Sequence, residues 1–361
     1  DGACLSNLVP ALMAPPGRRP AWLPDGVRRA DQVVLLVLDG LGWQQLADRR
    51  HLAPAMASMA GGSITSVVPT TTATALTSIA MGSTPAAHGV VGYRVRVLTT
   101  SGQEEVLNVL RWRTASGDAR EAVPPATFST GAPFAAQPVP VVTRDVFEGT
   151  GFTRTHLAGV ASRPWHQPSS IPVEVGRALR AGSPLVYAYY DGVDSVAHLT
   201  GLGEHYDAEL RYVDRLVADV AATLPPGAAL AVTADHGQVD VGGRISELDA
   251  AVLDGVRLVS GEGRFRWLHA RPGAAGDVLD AAADLYGEEA WVRSVDHLDA
   301  ESWFGGPLEA HARDRLGDVA VVPHRPIAYV DPQDRGDARL VCRHGSLTAD
   351  EMLVPLIGTV A

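Results

Sequence analysis

The stretch QVVLLVLDG, residues 32–40, decides the fold class. Its apolar run is continuous and rich in β-branched side chains, which is typical of a strand buried on both faces of a parallel sheet. Two later segments repeat the pattern and also carry aspartate at their ends, PLVYAYYDGVD at 184–194 and AALAVTADHG at 228–237. Because functional groups gather at the carboxyl ends of strands in open α/β sheets, these acids predict a site at one edge of the sheet.

Helical patterns lie between the strands. TATALTSIAMG at 72–82 is apolar at helical spacing and ends at Gly82. EHYDAELRYVDRLVADVAATL at 204–224 is amphipathic, and Pro-Pro-Gly at 225–227 ends it before the next strand. The alternation predicts an α/β fold with a mostly parallel central sheet flanked by helices.

Two regions break this alternation. Residues 92–150 are rich in Thr, Ser, Pro and Arg and carry only weak strand signals. Residues 255–315 have the pattern of a strand, a helix and a second strand, which predicts a small α+β insertion. LGDVAVVP and IAYV are expected to bring the chain back to the main sheet. The predicted domains are therefore a catalytic core at 1–254 and 316–361 and an inserted cap subdomain at 255–315.

Composition narrows the class of partner. The 361 residues carry a net charge of −11, and all 30 basic residues are arginine. Lysine-free composition is typical of a high-GC genome, and a bacterial source is expected. The acidic balance argues against binding to nucleic-acid polymers or anionic membranes, which need clustered positive charge. No apolar run reaches the ~20 residues of a membrane span, and no export signal is present, so a cytoplasmic location is expected.

Acidic and histidine side chains recur after the predicted strands. Taken alone, each has an ordinary structural explanation, such as a turn after a strand or a contact on a helix surface. Together they provide three carboxylates and three imidazoles, enough for two divalent metal ions with mixed ligands. Such ligands suit zinc best, with manganese or iron as alternatives. The candidate ligands are Asp39, Asp194, His198, Asp235, His236 and His344.

Three consecutive threonines stand in VVPTTTATALTSIAMG, residues 67–82. They follow a proline and directly precede the apolar run of a helix. A threonine hydroxyl is a poor nucleophile at neutral pH unless a base or a metal ion lies beside it. The residues alone leave open whether this is a solvated turn or a catalytic segment.

The motifs in their order resemble the alkaline phosphatase superfamily, and most closely its type I phosphodiesterase/nucleotide pyrophosphatase family. The resemblance covers about residues 30–245 and 315–361. It rests on seven motifs in order: a strand ending in LDG (38–40), PTTT (69–72), a helix ending at Gly82, PAAHG (85–89), Asp-x-x-x-His (194–198), ADHG (234–237) and a late His-Gly (344–345).

The resemblance implies a nucleophile and two metal sites. It makes Thr72 the nucleophile, and Thr70 and Thr71 turn residues. It implies that Thr72 joins the ligands of one metal and that a phosphothreonine intermediate forms and is then hydrolysed. By the same resemblance, the first metal is held by Asp39, Asp235, His236 and Thr72, and the second by Asp194, His198 and His344. The implied partner is a small phosphate ester, with nucleotides among the candidates, and the oligomeric state stays open.

One family feature is missing. Where the nucleotide pyrophosphatases carry an asparagine that donates to the phosphoryl oxygen, this chain has Tyr93. Tyr93, Arg94 or Arg96 could take over that contact. The family's aromatic nucleoside slot is not evident: Trp43, Trp112 and Trp165 are candidates for it, but each is better explained as a core residue.

Three readings of the activity remain. The sequence favours a phosphodiesterase or pyrophosphatase. The alternative is a phosphomonoester or phosphonate hydrolase resembling phosphonoacetate hydrolase, with arginine in place of the lysines that grip the substrate carboxylate in that enzyme. A metalloprotein that only binds phosphorylated ligands is disfavoured, because Thr72 and all six candidate ligands are present.

Overall fold

The structure is a computed structural model that describes residues 2–331 and 339–361. Residues 332–338, which the sequence analysis includes in the core domain, lie outside the described part of the chain. None of the described helices combines the length and the hydropathy that crossing a membrane requires.

The strands are β1 Val33–Leu38, β2 Ala60–Thr65, β3 Arg94–Leu98, β4 Glu104–Asn108, β5 Arg113–Thr114, β6 Gly117–Asp118, β7 Pro140–Val142, β8 Ala161–Ser162, β9 Leu185–Tyr190, β10 Ala229–Thr233, β11 Val239–Asp240, β12 Ile245–Glu247, β13 Val256–Glu262, β14 Phe265–Ala270, β15 Ala290–Ser294, β16 Val319–Pro323, β17 Ala328–Val330, β18 Cys342–Arg343 and β19 Leu353–Val360.

The helices are α1 Leu5–Met13, α2 Asp25–Arg29, α3 Trp43–Asp48, α4 Pro54–Ala57, α5 Thr72–Met81, α6 Pro85–His88, α7 Gly151–His156, α8 Ile171–Arg180, α9 Gly192–Thr200, α10 Glu204–Ala221, α11 Ala250–Leu253, α12 Ala275–Tyr286, α13 Val295–Ala300, α14 Ala310–Arg313 and α15 Ala349–Met352.

The central sheet has seven strands in the order β2-β19-β10-β1-β9-β7-β8. Strands β10, β1, β9, β7 and β8 run parallel to one another, whereas β19 is antiparallel to both β10 and β2. Every residue of β1, β9 and β10 is buried, as the continuous apolar runs of the sequence predict. The expected mostly parallel α/β sheet is confirmed.

A second sheet of four strands has the order β13-β14-β16-β15. Its alternate side chains enter two different clusters. Phe265 and Trp267 of β14 join the main core, whereas Leu268 and Ala270 join a second cluster with α12. This second sheet is therefore packed on both faces, one of them against the main hydrophobic core.

The return of the chain differs from the sequence prediction. LGDVAVVP was expected in the main sheet, but β16 lies between β14 and β15 in the second sheet. IAYV was expected there as well, but β17 pairs with β12. Both segments are short apolar runs that fit any buried strand position, so their composition could not identify their partners. The division into domains at 255–315 stays a prediction.

Candidate active site

Three adjacent parallel strands bring the acidic segments together. β1 lies between β9 and β10, so the carboxyl ends of all three meet at one edge of the sheet. Asp39 directly follows β1, and Asp235 and His236 follow β10 after one residue. Asp194 and His198 lie on α9, which begins two residues after β9 ends. The local pattern of the sequence thus places all five side chains at the same edge.

Asp39, Asp235 and His236 form a buried cluster whose ligand atoms all lie within 4.8 Å of one another. His236 Nε2 is 3.4 Å from Asp39 Oδ1 and 3.4 Å from Asp235 Oδ2. The opposite oxygens are occupied: Tyr189 donates its hydroxyl to Asp39 Oδ2, and Gly40 donates its backbone N–H to Asp235 Oδ1 at 3.0 Å.

Two buried oxygens in this cluster point to a cation. Among the described residues, Asp39 Oδ1 and Asp235 Oδ2 have no hydrogen-bond partner. A buried carboxylate oxygen without a partner is costly, and carboxylate pairs of this kind coordinate metals. Burial, followed by the charges of Asp235 and Asp194, raises the pKa of Asp39 well above its usual range. A divalent ion bound between these oxygens would remove that penalty, so the donor set fits a metal site.

A second cluster joins Asp194, His236 and His344, again within 4.8 Å. His198 lies beside it, with Nε2 at 3.2 Å from Asp194 Oδ1, and His344 Nε2 lies 3.9 Å from the same oxygen. The structure therefore brings all six candidate ligands into one site. His236 lies between the two groups, and its ring stacks on that of His344 at 3.5 Å between centroids.

The three histidines share one orientation. The Nδ1 atoms of His198, His236 and His344 contact the backbone carbonyls of Cys342, Gly237 and Thr70, at 2.7, 3.0 and 2.7 Å. Such contacts fix the tautomer that carries hydrogen on Nδ1 and leave Nε2 free to bind a metal. Burial, followed by the neighbouring His236 and His198, lowers the pKa of His344 well below its usual range, which favours the neutral ring that a metal needs.

Thr72 is the first residue of α5 and is 9% exposed. Its Oγ1 lies 3.1 Å from His236 Nε2. The other two threonines are bound to protein: Thr70 Oγ1 donates to the Ser346 carbonyl at 2.7 Å, and Thr71 Oγ1 donates to Thr74 Oγ1 at 3.1 Å. Of the three hydroxyls, only that of Thr72 is placed at the ligand clusters and at the N-terminus of the helix, where free N–H groups favour a phosphate.

Two cavities meet at Thr72 and Asp194. The first, which we call the arginine cavity, has a volume of about 410 Å³ and is lined by Tyr93, Arg94, Asn108, Arg111, Glu262 and Arg343. The second, which we call the aromatic cavity, has a volume of about 220 Å³ and is lined by Leu76, Phe147, Phe152, His156, Leu157 and Tyr189. Thr72 and Asp194 can thus be approached from two sides.

Of the three substrate-binding candidates from the sequence, two line the arginine cavity and one is bound elsewhere. Tyr93 and Arg94 do line the arginine cavity. Arg96 instead forms an ion pair with Glu104 and donates to the Asp314 carbonyl at 2.7 Å.

The tryptophans suggested for a ring-binding slot lie elsewhere. Trp112 and Trp165 are 1% and 2% exposed in the core, and Trp43 packs against the core.

Several cavity residues were missed by sequence reasoning. Asn108 donates its side-chain amide to the Tyr93 hydroxyl at 2.6 Å and so places an amide beside the expected contact position. Asn108 stands at the end of β4 in a region with weak strand signals, and no motif marks it. Phe147, in a loop, and Phe152, on α7, line the aromatic cavity, where the sequence analysis suggested tryptophans. Glu262 ends β13 and Arg343 belongs to β18, and both line the arginine cavity.

Comparisons with known proteins identify the family and the fold of the chain. Residues 33–347 match the family described as type I phosphodiesterase/nucleotide pyrophosphatase. No curated protein sequence matches the chain significantly.

Two solved structures show the same fold. Murine ectonucleotide pyrophosphatase/phosphodiesterase 5, solved as an inactive variant with AMP, has a TM-score of 0.68 at 16% identity, covering 91% of this chain and 87% of that chain. Phosphonoacetate hydrolase from Sinorhizobium meliloti 1021, solved with phosphonoformate, has a TM-score of 0.65 at 20% identity, covering 95% and 91%. With the family match over residues 33–347, the chain belongs to the type I phosphodiesterase/nucleotide pyrophosphatase family and is a hydrolase of the phosphoric ester class.

Proposed function

We propose that this protein is a two-metal phosphodiesterase in which Thr72 is the nucleophile. The observation that carries the proposal is the position of Thr72 Oγ1, 3.1 Å from His236 Nε2, at a helix N-terminus and at the junction of two cavities. Two unpartnered buried carboxylate oxygens lie in the same cluster.

The proposed ligands are the six residues named from the sequence, with Thr72 beside the first group. Asp39, Asp235 and His236 would hold one ion and Asp194, His198 and His344 the other, with zinc as the expected metal. Bound ions would lower the pKa of the Thr72 hydroxyl and offset charge on the phosphoryl group.

The residues of the chain account for the rest of the reaction. Thr72 Oγ1 gives up its proton to solvent and attacks phosphorus, so that the bond from Thr72 Oγ1 to phosphorus forms and the bond to the leaving oxygen breaks. The leaving oxygen keeps the electron pair and takes a proton from solvent. Water then attacks phosphorus, the bond between phosphorus and Thr72 Oγ1 breaks, the phosphate product leaves, and Thr72 Oγ1 takes up one proton of the water to become a hydroxyl again. The free N–H groups at the start of α5 would stabilise negative charge on the phosphoryl oxygens throughout. The Tyr93–Asn108 pair is proposed to bind the phosphoryl group from the arginine cavity.

Two cavities favour a diester over a monoester. A diester has an organic group on each side of phosphorus, and each cavity can take one. The aromatic cavity suits a flat or apolar group, which makes a nucleoside a reasonable occupant. A monoester would leave one cavity filled only with water.

The test combines metal analysis with a substrate panel. Purified wild type should contain about two metal ions per chain. Its kcat/KM should be higher for bis-p-nitrophenyl phosphate than for p-nitrophenyl phosphate. A still higher kcat/KM for thymidine 5′-p-nitrophenyl phosphate would identify a nucleoside preference. Thr72→Ala should lose activity by about 10³-fold or more, whereas the matched control Thr71→Ala should keep it. A metal-free, fully active Thr72→Ala protein would rule out the proposed site.

A phosphonate or monoester hydrolase is the second candidate. The observation that favours it is the presence of Arg94, Arg111 and Arg343 in the arginine cavity, in a protein with net charge −11. Arginine can bind a carboxylate or phosphate through two parallel hydrogen bonds. Release of phosphate from phosphonoacetate, or a clear monoester preference, would favour this candidate over the diesterase.

A further inference from the structure

Helix α15 (Ala349–Met352) contacts two of the loops that carry proposed active-site residues. The Glu351 carbonyl accepts a hydrogen bond of 2.9 Å from the backbone N–H of Gly237, in the loop after β10. The Met352 carbonyl accepts one of 2.7 Å from the N–H of Ser66, where the segment leading to the nucleophile begins. The backbone of this one helical turn thus fixes the spacing between those two loops.

The side chain of Glu351 reaches the third loop. Its carboxylate accepts hydrogen bonds from the Ser346 N–H at 3.0 Å and from the Thr348 hydroxyl at 2.5 Å. The segment it holds begins with His344, and that segment is itself bound to Thr70. The Gly345 N–H donates to Thr70 Oγ1 at 3.0 Å, and the Thr70 N–H donates to the Gly345 carbonyl at 3.1 Å. Glu351 is therefore linked to all three loops.

The second sheet supplies the partner of Glu351. Arg264, in the turn between β13 and β14, donates from Nε to Glu351 Oε1 at 3.0 Å and from Nη2 to Glu351 Oε2 at 2.7 Å. Its Nη1 also donates to the Ile327 carbonyl at 2.9 Å. Both side chains of the ion pair are 0% exposed. Glu262, in the same turn region, lines the arginine cavity, so the second sheet reaches the site at this point.

A buried ion pair is weak evidence for stability, because desolvation offsets much of the attraction. A better-supported role of such a pair is to select one geometry among several. An arginine that donates two parallel hydrogen bonds to a carboxylate does this by holding both groups in one plane. We propose that Arg264 and Glu351 are a positioning pair, through which the second sheet holds the loops of Thr72, His236 and His344 in catalytic register. The inference rests on the proposed function of those loops.

The experiment compares variants of the pair with a matched control. Arg264→Lys keeps the positive charge but cannot donate the two parallel hydrogen bonds to Glu351. Arg264→Met combined with Glu351→Leu replaces the pair by apolar side chains and also removes the acceptor of the Ser346 N–H. The control is Arg266→Lys, since Arg266 is also buried in the same hairpin, but donates to the carbonyls of Gly261 and Tyr329. Each protein is measured for binding of Co²⁺ by its absorption spectrum, for kcat and KM on bis-p-nitrophenyl phosphate, and for amide exchange in the metal-free form.

We expect both pair variants to bind Co²⁺ about tenfold more weakly, with kcat about tenfold lower and KM little changed. The amides of Gly237 and Ser346 should exchange about tenfold faster in the metal-free protein, while Arg266→Lys behaves like wild type. The proposal would be overturned if Arg264→Lys kept the Co²⁺ affinity, the kcat and the amide exchange rates of wild type. It would also be overturned if Arg266→Lys lost as much in these measurements as the pair variants do. If wild type binds no Co²⁺, the proposed function fails instead, and amide exchange in the metal-free proteins still decides whether the pair holds the loops.

Discussion

At the scale of single residues, Tyr189 controls the orientation of one proposed ligand. Its hydroxyl donates to Asp39 Oδ2, which leaves Oδ1 directed at the cluster with His236. Burial, followed by the charge of Asp39, raises the pKa of Tyr189 well above its usual range, so the hydroxyl stays a donor. Tyr189→Phe removes the contact and should weaken zinc binding by about tenfold.

The check for Tyr189→Phe is competitive zinc titration against a chromophoric chelator. Tyr187→Phe is the matched control, because Tyr187 lies two residues earlier on the same strand and is also buried. Unchanged zinc affinity in Tyr189→Phe would show that Asp39 needs no such support, and equal weakening in both variants would indicate a general effect of the strand.

A second residue prediction concerns substrate charge. Arg111 is exposed and lines the arginine cavity. A charged hydrogen bond at such an exposed position contributes about 1 kcal/mol. Arg111→Gln should therefore raise KM by about fivefold for substrates with a second anionic group, and should leave KM for bis-p-nitrophenyl phosphate unchanged. Arg113→Gln, on the neighbouring strand β5, is the control. A uniform KM increase across both substrate types would contradict a charge-specific role.

How far the site could be predicted from the sequence depends on how local its signals are. Asp39, Thr72 and His236 stand in short contiguous motifs, so their types and order indicated the site, and the structure brings them together. The contacts of Glu351 and Asn108 are with residues in other motif-free segments, Arg264 at a separation of 87 residues and Tyr93 at a separation of 15. No spacing rule links such positions, so sequence alone could not identify them.

At the scale of elements, the loop after β10 is packed without space for a side chain at Gly237. A Cβ atom there would lie 2.0 Å from the Asp350 carbonyl oxygen and 2.9 Å from Gly42 Cα. Because these are backbone atoms, Gly237→Ala must displace the loop that carries His236. We expect a destabilisation of about 1–3 kcal/mol and a loss of metal affinity of about tenfold or more.

The measurement for Gly237→Ala is urea unfolding together with metal content after dialysis. Gly243→Ala is the control in the same region, because a Cβ at Gly243 would meet nothing within 4 Å. The control should unfold within about 0.5 kcal/mol of wild type. Full metal occupancy in Gly237→Ala would mean that the loop has more freedom than its packing indicates.

The same scale explains which elements the sequence predicted correctly. The strands at 33–38, 185–190 and 229–233 were recognisable because burial on both faces requires an unbroken apolar run. The helix Thr72–Met81 ends where Gly82 adopts a φ of 61°, as the terminal glycine predicted. β16 was assigned to the wrong sheet, since an apolar run reports burial but not the identity of the neighbouring strand.

At the scale of the whole molecule, buried histidines that are not proposed metal ligands contribute to the dependence of stability on pH. Burial lowers the pKa of His88 to about 3, of His156 to about 4 and of His269 to about 4. An unfolded chain protonates histidine near pH 6.5, so the unfolded state binds more protons than the folded state below that pH. Stability from these groups is therefore complete above about pH 6.5 and is lost progressively as the pH falls towards 4.

The contribution of a single histidine to the pH dependence of stability can be tested at His88. Its Nδ1 accepts a hydrogen bond of 3.1 Å from the Val90 N–H, and its Nε2 lies 2.8 Å from Ser78 Oγ, so the folded protein requires the neutral ring with hydrogen on Nε2. His88→Asn removes the titrating group but keeps a polar side chain.

Between about pH 4.5 and 6, the free energy of unfolding of wild type should rise with pH more steeply than that of His88→Asn, by about 1.4 kcal/mol per pH unit. Urea unfolding of the metal-free proteins at several pH values measures both slopes, and comparison of the two cancels the contribution of the site carboxylates and histidines. Parallel slopes would show that His88 is protonated in the folded state, and the bond from Val90 would then have to be broken at acid pH.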